Sequence, residues 1–234
     1  MITDELKTEI ANKIKDITVA DLEEDMEKLI QIGKDAYTMS SRSRIGNNVV
    51  DYFTFRQRLE TKGKYDISFF GFIQNIEEFK QKKFIQTMLT YYKDVKNKNN
   101  TKNEYIVLKD VYNICISAIN IMRPLNCMEI YTKYKAKRVL NFCAGWGGST
   151  VAAAALNLDA YYGVEINSDL KQPYDNMIQF LKTRCATKFE NIIADAVVVD
   201  YSNMIYDTVF SSPPYYFLEK YENNINRRTI KSIR

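Results

Sequence analysis

The apolar positions divide the chain into a first half with helical spacing and a second half in which short apolar runs alternate with helical segments. In residues 18–33 the apolar side chains recur at i, i+4, i+7 and i+8, which is the spacing of one helix face. Thr18 and Asp21 have the spacing of an N-terminal capping box, and Gly33 is typical of a helix end. We therefore expect an amphipathic helix here whose apolar stripe packs on another element.

Helical spacing of apolar residues returns in residues 69–92 and again in residues 105–122. The second segment is largely apolar and runs into Pro124, which disfavours helix at the residue before it. Residues 94–104 lie between the two and show no apolar periodicity. The pattern predicts a helical segment over 69–92, a loop, and then a buried helix that continues to Arg123.

From Arg138 onward the pattern is that of strands and helices in alternation. Short apolar runs at 138–142, 160–166 and 189–194 predict buried strands, and the stretch 206–216 predicts a fourth strand that runs directly into Ser-Pro-Pro-Tyr. Helices are expected over 149–158, with Ser149 near the cap, and over 168–182. This order is typical of an α/β domain with a parallel, Rossmann-like sheet.

Composition sets further bounds on the protein. With 46% hydrophobic residues the chain can build a packed core, and it contains no apolar run near the length of a membrane span. Its first residues are acidic and polar, unlike a signal peptide, so we expect an intracellular, cytoplasmic protein without a membrane partner. It has no histidine and no CxxC spacing, so we expect no metal site and no histidine-dependent catalysis.

The net charge of +4 is distributed unevenly. Residues 1–35 contain ten acidic and five basic side chains, so the rest of the chain carries a charge of +9. Basic clusters at 41–44, 62–64, 96–102 and 226–234 fit a polyanionic partner, although solvated loops give the same pattern. In residues 49–64 aromatic and basic side chains are interleaved, which makes this stretch the better candidate for nucleic-acid contact.

Glycines and an acidic residue follow the first two predicted strands. Gly145 and Gly147 form a turn after the first strand, and Glu165 ends the second strand. In such units glycines allow a ligand to approach the backbone, and the acid accepts hydrogen bonds from ribose hydroxyls. Thr150 interrupts the full GxGxxG pattern, so a small nucleoside cofactor fits better than a dinucleotide.

Polar residues also lie at the ends of the first, third and fourth predicted strands. Asn141 ends the first strand, Asp195 follows the third, and Ser212 follows the fourth. Because the carboxyl ends of parallel strands share one edge, we expect these side chains and Glu165 to surround a single crevice.

The turn after the fourth strand has its own chemistry. Pro213 and Pro214 fix φ and lack N–H donors, so the turn presents hydrogen-bond acceptors. The Ser212 hydroxyl, the Pro213 carbonyl and the ring of Tyr215 would suit a planar ligand that carries an exocyclic amine. An ordinary surface turn is the alternative.

The segments VLNFCAGWGG, YYGVEIN and VFSSPPYYFLEKY, in this order and with an acid after the third strand, resemble the amino-group methyltransferases of DNA. In particular they are similar to DNA methylases of large viruses and phages that share the AGWGG and SPPY blocks. The resemblance covers residues 117–222. It implies S-adenosyl-L-methionine as cofactor, DNA as partner, and methyl transfer to cytosine N4 or adenine N6 of a flipped-out base, by direct attack without a covalent intermediate. If the protein is viral, its cytoplasmic setting is that of a host cell.

The resemblance also assigns roles to residues. It implies that Glu165 holds the ribose and Asp195 the adenine amine. The further implied cofactor contacts are Asn141, Phe142, Ala144, Gly145 and Gly147, and the implied catalytic turn is Ser212, Pro213, Pro214 and Tyr215.

The chain departs from the family pattern in two ways. Asn141 stands where relatives carry an acid, and only four strands of a seven-stranded sheet can be counted. We therefore expect an acidic helical leader (1–40), a mainly helical region with a candidate nucleic-acid contact (41–128), and a C-terminally truncated methyltransferase domain (129–234). A partner chain would supply the missing strands and target recognition. The alternatives are an RNA or protein-amide methyltransferase, and a non-catalytic nucleic-acid-binding or assembly protein that retains the fold.

Overall fold

A four-stranded, all-parallel sheet and ten α-helices make up the computed structural model within residues 2–63 and 65–213, the part of the chain that the structure describes. The α/β class and the parallel sheet are confirmed. The elements in chain order are α1 (Asp4–Ile14), α2 (Val19–Ile32), α3 (Asn47–Glu60), α4 (Phe69–Gln74), α5 (Ile76–Lys80), α6 (Lys83–Tyr91), α7 (Glu104–Cys115), α8 (Pro124–Lys133), β1 (Arg138–Asn141), α9 (Gly148–Ala155), β2 (Ala160–Glu165), α10 (Lys171–Lys182), β3 (Lys188–Ile193) and β4 (Thr208–Val209).

The strand order is β3-β2-β1-β4, and every neighbouring pair is parallel. The register places Leu140 opposite both Tyr162 of β2 and Val209 of β4. β4 is only two residues long, and the carboxylate of Asp207 strengthens its pairing by accepting hydrogen bonds from the backbone N–H groups of Lys137 and Arg138, both at 3.0 Å. The Asp207 side chain thus connects the residue before β4 to the start of β1.

The contacts divide the described residues into two compact units that are each discontinuous along the chain, unlike the three consecutive segments expected from the sequence. One unit contains residues 2–16 and 55–120, and the other contains residues 17–54 and 121–213. The first unit is helical. Its core is a cluster of buried apolar side chains rich in aromatics: Ile10, Ala11, Leu59, Phe69, Phe70, Phe72, Phe79, Ile85, Tyr92, Leu108, Val111, Tyr112 and Ile116.

The second unit is built on the sheet. All eight residues of α9 are buried, because the helix consists of small side chains (GSTVAAAA) that allow close packing against β2, α8 and α2. α10 presents Tyr174, Met177 and Leu181 to the interior, and Val139 of β1 and Val164 of β2 are fully buried. Parallel sheets need this kind of cover because their strands are apolar on both faces.

Most predicted helix ends are confirmed. The Thr18 side chain accepts from the Asp21 N–H at 3.1 Å, Asp21 accepts from the Thr18 N–H at 2.9 Å, and Gly33 caps the helix end. The segment 69–92 is helical but consists of three helices, α4, α5 and α6, with a π-helical turn over Tyr92–Lys96. The predicted loop therefore begins only after Lys96.

One predicted helix end is wrong. The helix α7 ends at Cys115 and does not reach Arg123, because β-branched isoleucines and Ser117 weaken helix formation there. Pro124 instead starts α8, where its missing N–H costs no hydrogen bond. Ser149 lies near the cap of α9, as predicted: Gly147 is the N-cap, and Ser149 is buried in the first turn of the helix. None of the helices in the described residues is both long and apolar enough to cross a membrane.

Candidate functional site

The carboxyl ends of the four strands lie at one edge of the sheet, as parallel pairing requires. The loop after β1 continues the sheet at this edge, since the Ala144 N–H donates to the Val164 carbonyl at 2.8 Å. The Ala194 N–H likewise donates to the Glu165 carbonyl at 2.9 Å, and the Phe210 N–H to the Leu140 carbonyl at 3.0 Å. The predicted arrangement of the strand ends is therefore present in the fold.

The loop after β1 is held at Gly145. Its N–H donates to the Glu165 carboxylate (Oε2, 2.8 Å), and its carbonyl accepts from the Tyr174 hydroxyl at 2.7 Å. The backbone at Gly145 has φ +64°, and at Gly147 φ +93°, both in the left-handed region that glycine adopts most readily. These two contacts hold the loop after β1 against Glu165 of β2 and Tyr174 of α10.

The glycines of this loop differ in what a side chain would meet. A Cβ at Gly148 would lie 1.8 Å from the Met122 carbonyl oxygen, and one at Gly147 would lie 2.7 Å from the Met177 methyl carbon. At Gly145 the nearest atom to such a Cβ is the Cys143 carbonyl oxygen, at 4.0 Å. Packing therefore requires glycine at Gly148, whereas at Gly147 the Met177 side chain can shift and the positive φ is what favours glycine. Of these three glycines, Gly145 has the most space beside it within the described residues, and a ligand can approach it there.

Glu165 is buried, with 7% of its surface exposed, and both carboxylate oxygens are engaged by backbone donors. Oε2 accepts from Gly145, and Oε1 accepts from the Asn167 N–H at 2.9 Å. These two bonds orient the carboxylate. Glu165 thus connects the end of β2 to the glycine loop that follows β1.

Asn141 lies at the end of β1 and is 3% exposed. Its Nδ2 donates to the Ser149 hydroxyl at 2.9 Å, and its Oδ1 accepts from the Cys143 N–H at 3.1 Å. The Ser149 hydroxyl also hydrogen-bonds to the Tyr161 hydroxyl at 2.7 Å. Asn141 thus joins the loop after β1, at Cys143, to the first turn of α9, at Ser149. Its predicted contact with a cofactor stays a prediction.

The thiol of Cys143, which follows β1, lies near groups from the ends of the other three strands. Cys143 was not among the site residues predicted from the sequence. Burial raises the pKa of its thiol, the Ser211 hydroxyl lowers it, and the negative charges of Glu165 and Asp195 raise it further. Glu165 at the end of β2, Asp195 after β3 and Ser211 after β4 therefore all affect the pKa of the thiol that follows β1. Asp195 itself is half-buried and accepts from the Val197 N–H at 3.0 Å.

The remaining predicted residues line the same edge at different depths. Phe142 is 36% exposed and Ala144 is 6% exposed, so the ring rather than the methyl group faces outward. Ser212 and Pro213 are exposed directly after β4, whereas the Ser211 hydroxyl oxygen is buried. Pro214 and Tyr215 lie outside the described residues. A sequence signal for Ser211 was present in the run of two serines before the prolines.

The stretch 49–64 contributes more to packing than its composition suggested. Val50 is fully buried, and so is Thr54, whose hydroxyl donates to the Trp146 carbonyl at 3.2 Å. Leu59 is 1% exposed, and Arg58 is 8% exposed with its guanidinium 5.3 Å from the centre of the Phe55 ring. Its role in nucleic-acid contact stays a prediction.

Within the described residues no cluster of three cysteine or acidic side chains is arranged to hold a metal ion. The groups suited to a ligand are instead the acceptors at the strand ends and the open space at Gly145. No family model, curated protein or solved structure matches this chain.

Proposed function

We propose that this protein is a methyltransferase with a Rossmann-like fold that uses S-adenosyl-L-methionine to methylate an exocyclic amine of a DNA base. The observation that carries the proposal is the hydrogen bond between Glu165 and Gly145, which joins the end of β2 to the loop after β1 at 2.8 Å. The Ser212-Pro213 turn follows β4, the other neighbour of β1, at the same edge. In open parallel sheets this edge is where ligands bind.

The residues present fit a nucleoside cofactor. Glu165 would accept hydrogen bonds from the ribose hydroxyls, and Asp195 would accept one from the adenine amine. The open space at Gly145 admits the ligand against the backbone, and the exposed ring of Phe142 can flank the adenine. Bound there, the cofactor would supply an electrophilic methyl group on a sulfonium.

The turn after β4 would hold the target amine. The Ser212 hydroxyl and the Pro213 carbonyl can accept its two hydrogens, which favours a tetrahedral nitrogen whose lone pair is not delocalised into the ring. Held in this way, the amine would face the methyl group that the bound cofactor supplies, and the proton that the amine loses on methylation would pass to water. Bringing the base out of a duplex costs a few kcal/mol, which contacts at this turn must offset.

Titration calorimetry with S-adenosyl-L-methionine tests the cofactor site. Glu165→Gln removes one acceptor oxygen and should weaken binding about tenfold or more, since a buried hydrogen bond to a charged group contributes about 1.5–3 kcal/mol. Glu190→Gln, the same change at an exposed position of the adjacent strand, serves as control and should bind like the wild type. No binding by the wild type at millimolar cofactor would reject the proposal and favour a non-catalytic nucleic-acid-binding protein.

A methyl-transfer assay on DNA, RNA and protein tests the target. Ser212→Ala should lower the rate by ~100-fold or more while cofactor affinity changes little, because the hydroxyl acts on the amine. Ser202→Ala, in an exposed turn before β4, is the matched control. Mass spectrometry of the product base then distinguishes cytosine N4 from adenine N6. Full activity of Ser212→Ala would contradict the role of this turn.

A further inference from the structure

We propose that Arg42, Arg44 and Arg123 form a phosphate-binding surface beside the glycine loop, and that this surface holds the backbone of the DNA strand that carries the target base. This inference rests on the proposed function, because it assigns to that site the surface on which its substrate lies. We call these three residues the arginine surface.

The position of Arg123 follows from its neighbour. The Met122 carbonyl packs on Gly148, so closely that a Cβ there would lie 1.8 Å from the oxygen. Gly148 is the first residue of α9 and follows the loop at the carboxyl edge of the sheet. The backbone that carries Arg123 therefore runs along the rim of the candidate site.

Arg123 in turn fixes the loop that carries the other two arginines. Its Nη1 donates to the Ser41 carbonyl at 2.5 Å. At the other end of the loop Gly46 has φ +85°, and a Cβ there would lie 2.4 Å from Leu29 of α2. Arg42 and Arg44 are thus carried on a segment that is attached at both ends.

The loop between these attachments is also ordered internally. The Ser43 N–H donates to the Ser40 carbonyl at 2.8 Å, and the Arg42 N–H donates to the Ser40 hydroxyl at 3.2 Å. The Asn47 N–H donates to the Arg44 carbonyl at 3.0 Å at the start of α3. The backbone is therefore already arranged before any ligand binds, which lowers the entropy cost of binding.

The charges of this surface are available to a partner. Arg42 and Arg44 are exposed, and in the part of the chain that the structure describes no carboxylate forms an ion pair with either of them or with Arg123. Guanidinium groups bind phosphate oxygens through two parallel hydrogen bonds. Three such groups on backbone segments joined by the Arg123–Ser41 hydrogen bond therefore suit contacts to the phosphates of one strand.

The experiment measures DNA affinity of the whole chain as a function of salt, by fluorescence anisotropy with a labelled duplex. The Arg42→Gln/Arg44→Gln variant should bind about tenfold more weakly at low salt. The slope of log K against log salt should become shallower by about 1.8, since each phosphate contact contributes about 0.9. The control variant, Lys182→Gln/Lys188→Gln, makes the same charge change at the amino edge of the sheet, where α10 ends and β3 begins.

Equal changes in the two double variants, or no binding of DNA by the wild type, would overturn the arginine surface. Calorimetry with S-adenosyl-L-methionine separates this failure from failure of the proposed function. If Arg42→Gln/Arg44→Gln binds the cofactor normally and its DNA affinity equals that of the control variant, the proposal of the arginine surface is wrong and the cofactor site stands. If the salt effect is specific while the wild type binds no cofactor, the surface stands and the methyltransferase proposal fails.

Discussion

Replacing Ser149 by alanine should destabilise the protein by an amount that its small size would not suggest. The hydroxyl of Ser149 is shared by two neighbours, since it accepts from Asn141 Nδ2 at 2.9 Å and hydrogen-bonds to the Tyr161 hydroxyl at 2.7 Å. Ser149 is 2% exposed and Tyr161 is fully buried, so water cannot replace the lost partner.

The magnitude follows from counting the groups left without this partner. An unsatisfied buried polar group costs about 1–3 kcal/mol, so Ser149→Ala should lower the free energy of unfolding by about 2–4 kcal/mol. Alanine favours helix more than serine by roughly 0.5 kcal/mol, which opposes the loss of stability. A measured decrease in the free energy of unfolding therefore cannot come from a change in helix propensity. Burial raises the pKa of Tyr161 to about 12, so its hydroxyl remains protonated at neutral pH.

A double-mutant cycle with urea unfolding at neutral pH checks this reasoning. Tyr161→Phe removes one of the two partners and should cost about 1 kcal/mol. In that background Ser149→Ala leaves only Asn141 unsatisfied, so its cost should fall by about 1–2 kcal/mol, which is the coupling between the two residues. Ser202→Ala, in an exposed turn, should change the unfolding free energy by less than about 0.5 kcal/mol. A Ser149→Ala protein within that same margin, or a cycle without coupling, would refute the shared hydrogen bond.

Two further predictions concern backbone space and pH. Gly148→Ala should lower the melting temperature far more than Gly145→Ala, because its Cβ would lie 1.8 Å from the Met122 carbonyl oxygen, whereas at Gly145 only the strain of a φ of +64° opposes alanine; equal shifts in thermal unfolding would contradict this. For Asp207, burial alone would raise the carboxyl pKa, but hydrogen bonds from the Lys137 N–H, the Thr208 hydroxyl and the Arg138 N–H lower it overall. Its stabilisation is therefore present above the unfolded pKa of about 3.9 and lost as pH falls through the lower folded pKa. Asp207→Asn should be less stable at neutral pH and lose less stability on acidification, as measured by urea unfolding at several pH values.

The sheet could be predicted from the sequence because its signals are local. Each of the first three strands is a short apolar run bounded by a turn, and periodicity alone locates them within one or two residues of the observed bounds. The helix start at Thr18 and the helix end at Gly33 are local in the same sense, since caps depend on a few adjacent residues.

The features that were missed depend on contacts distant in sequence. Ser149 lies near the helix cap as predicted, but its hydrogen bond with the Tyr161 hydroxyl, twelve residues away, has no local signal in the sequence. Cys143 lies within the glycine-turn segment VLNFCAGWGG, but its proximity to groups from the other three strand ends follows only from the fold. Apolar periodicity cannot predict the two discontinuous units, because packing between distant segments determines which helices share a core.

The position of β4 has a consequence for how the chain folds as it is made. β1 has β2 on one side, and its other side is completed only by residues that include Asp207, 70 positions after Lys137. At synthesis rates of about 5–20 residues per second, that edge of β1 waits roughly 4–14 s for its partner. An unpaired strand edge can recruit strands from other chains. We expect nascent chains that end before β4 to bind chaperones or to aggregate, and chains that extend past it to do so less.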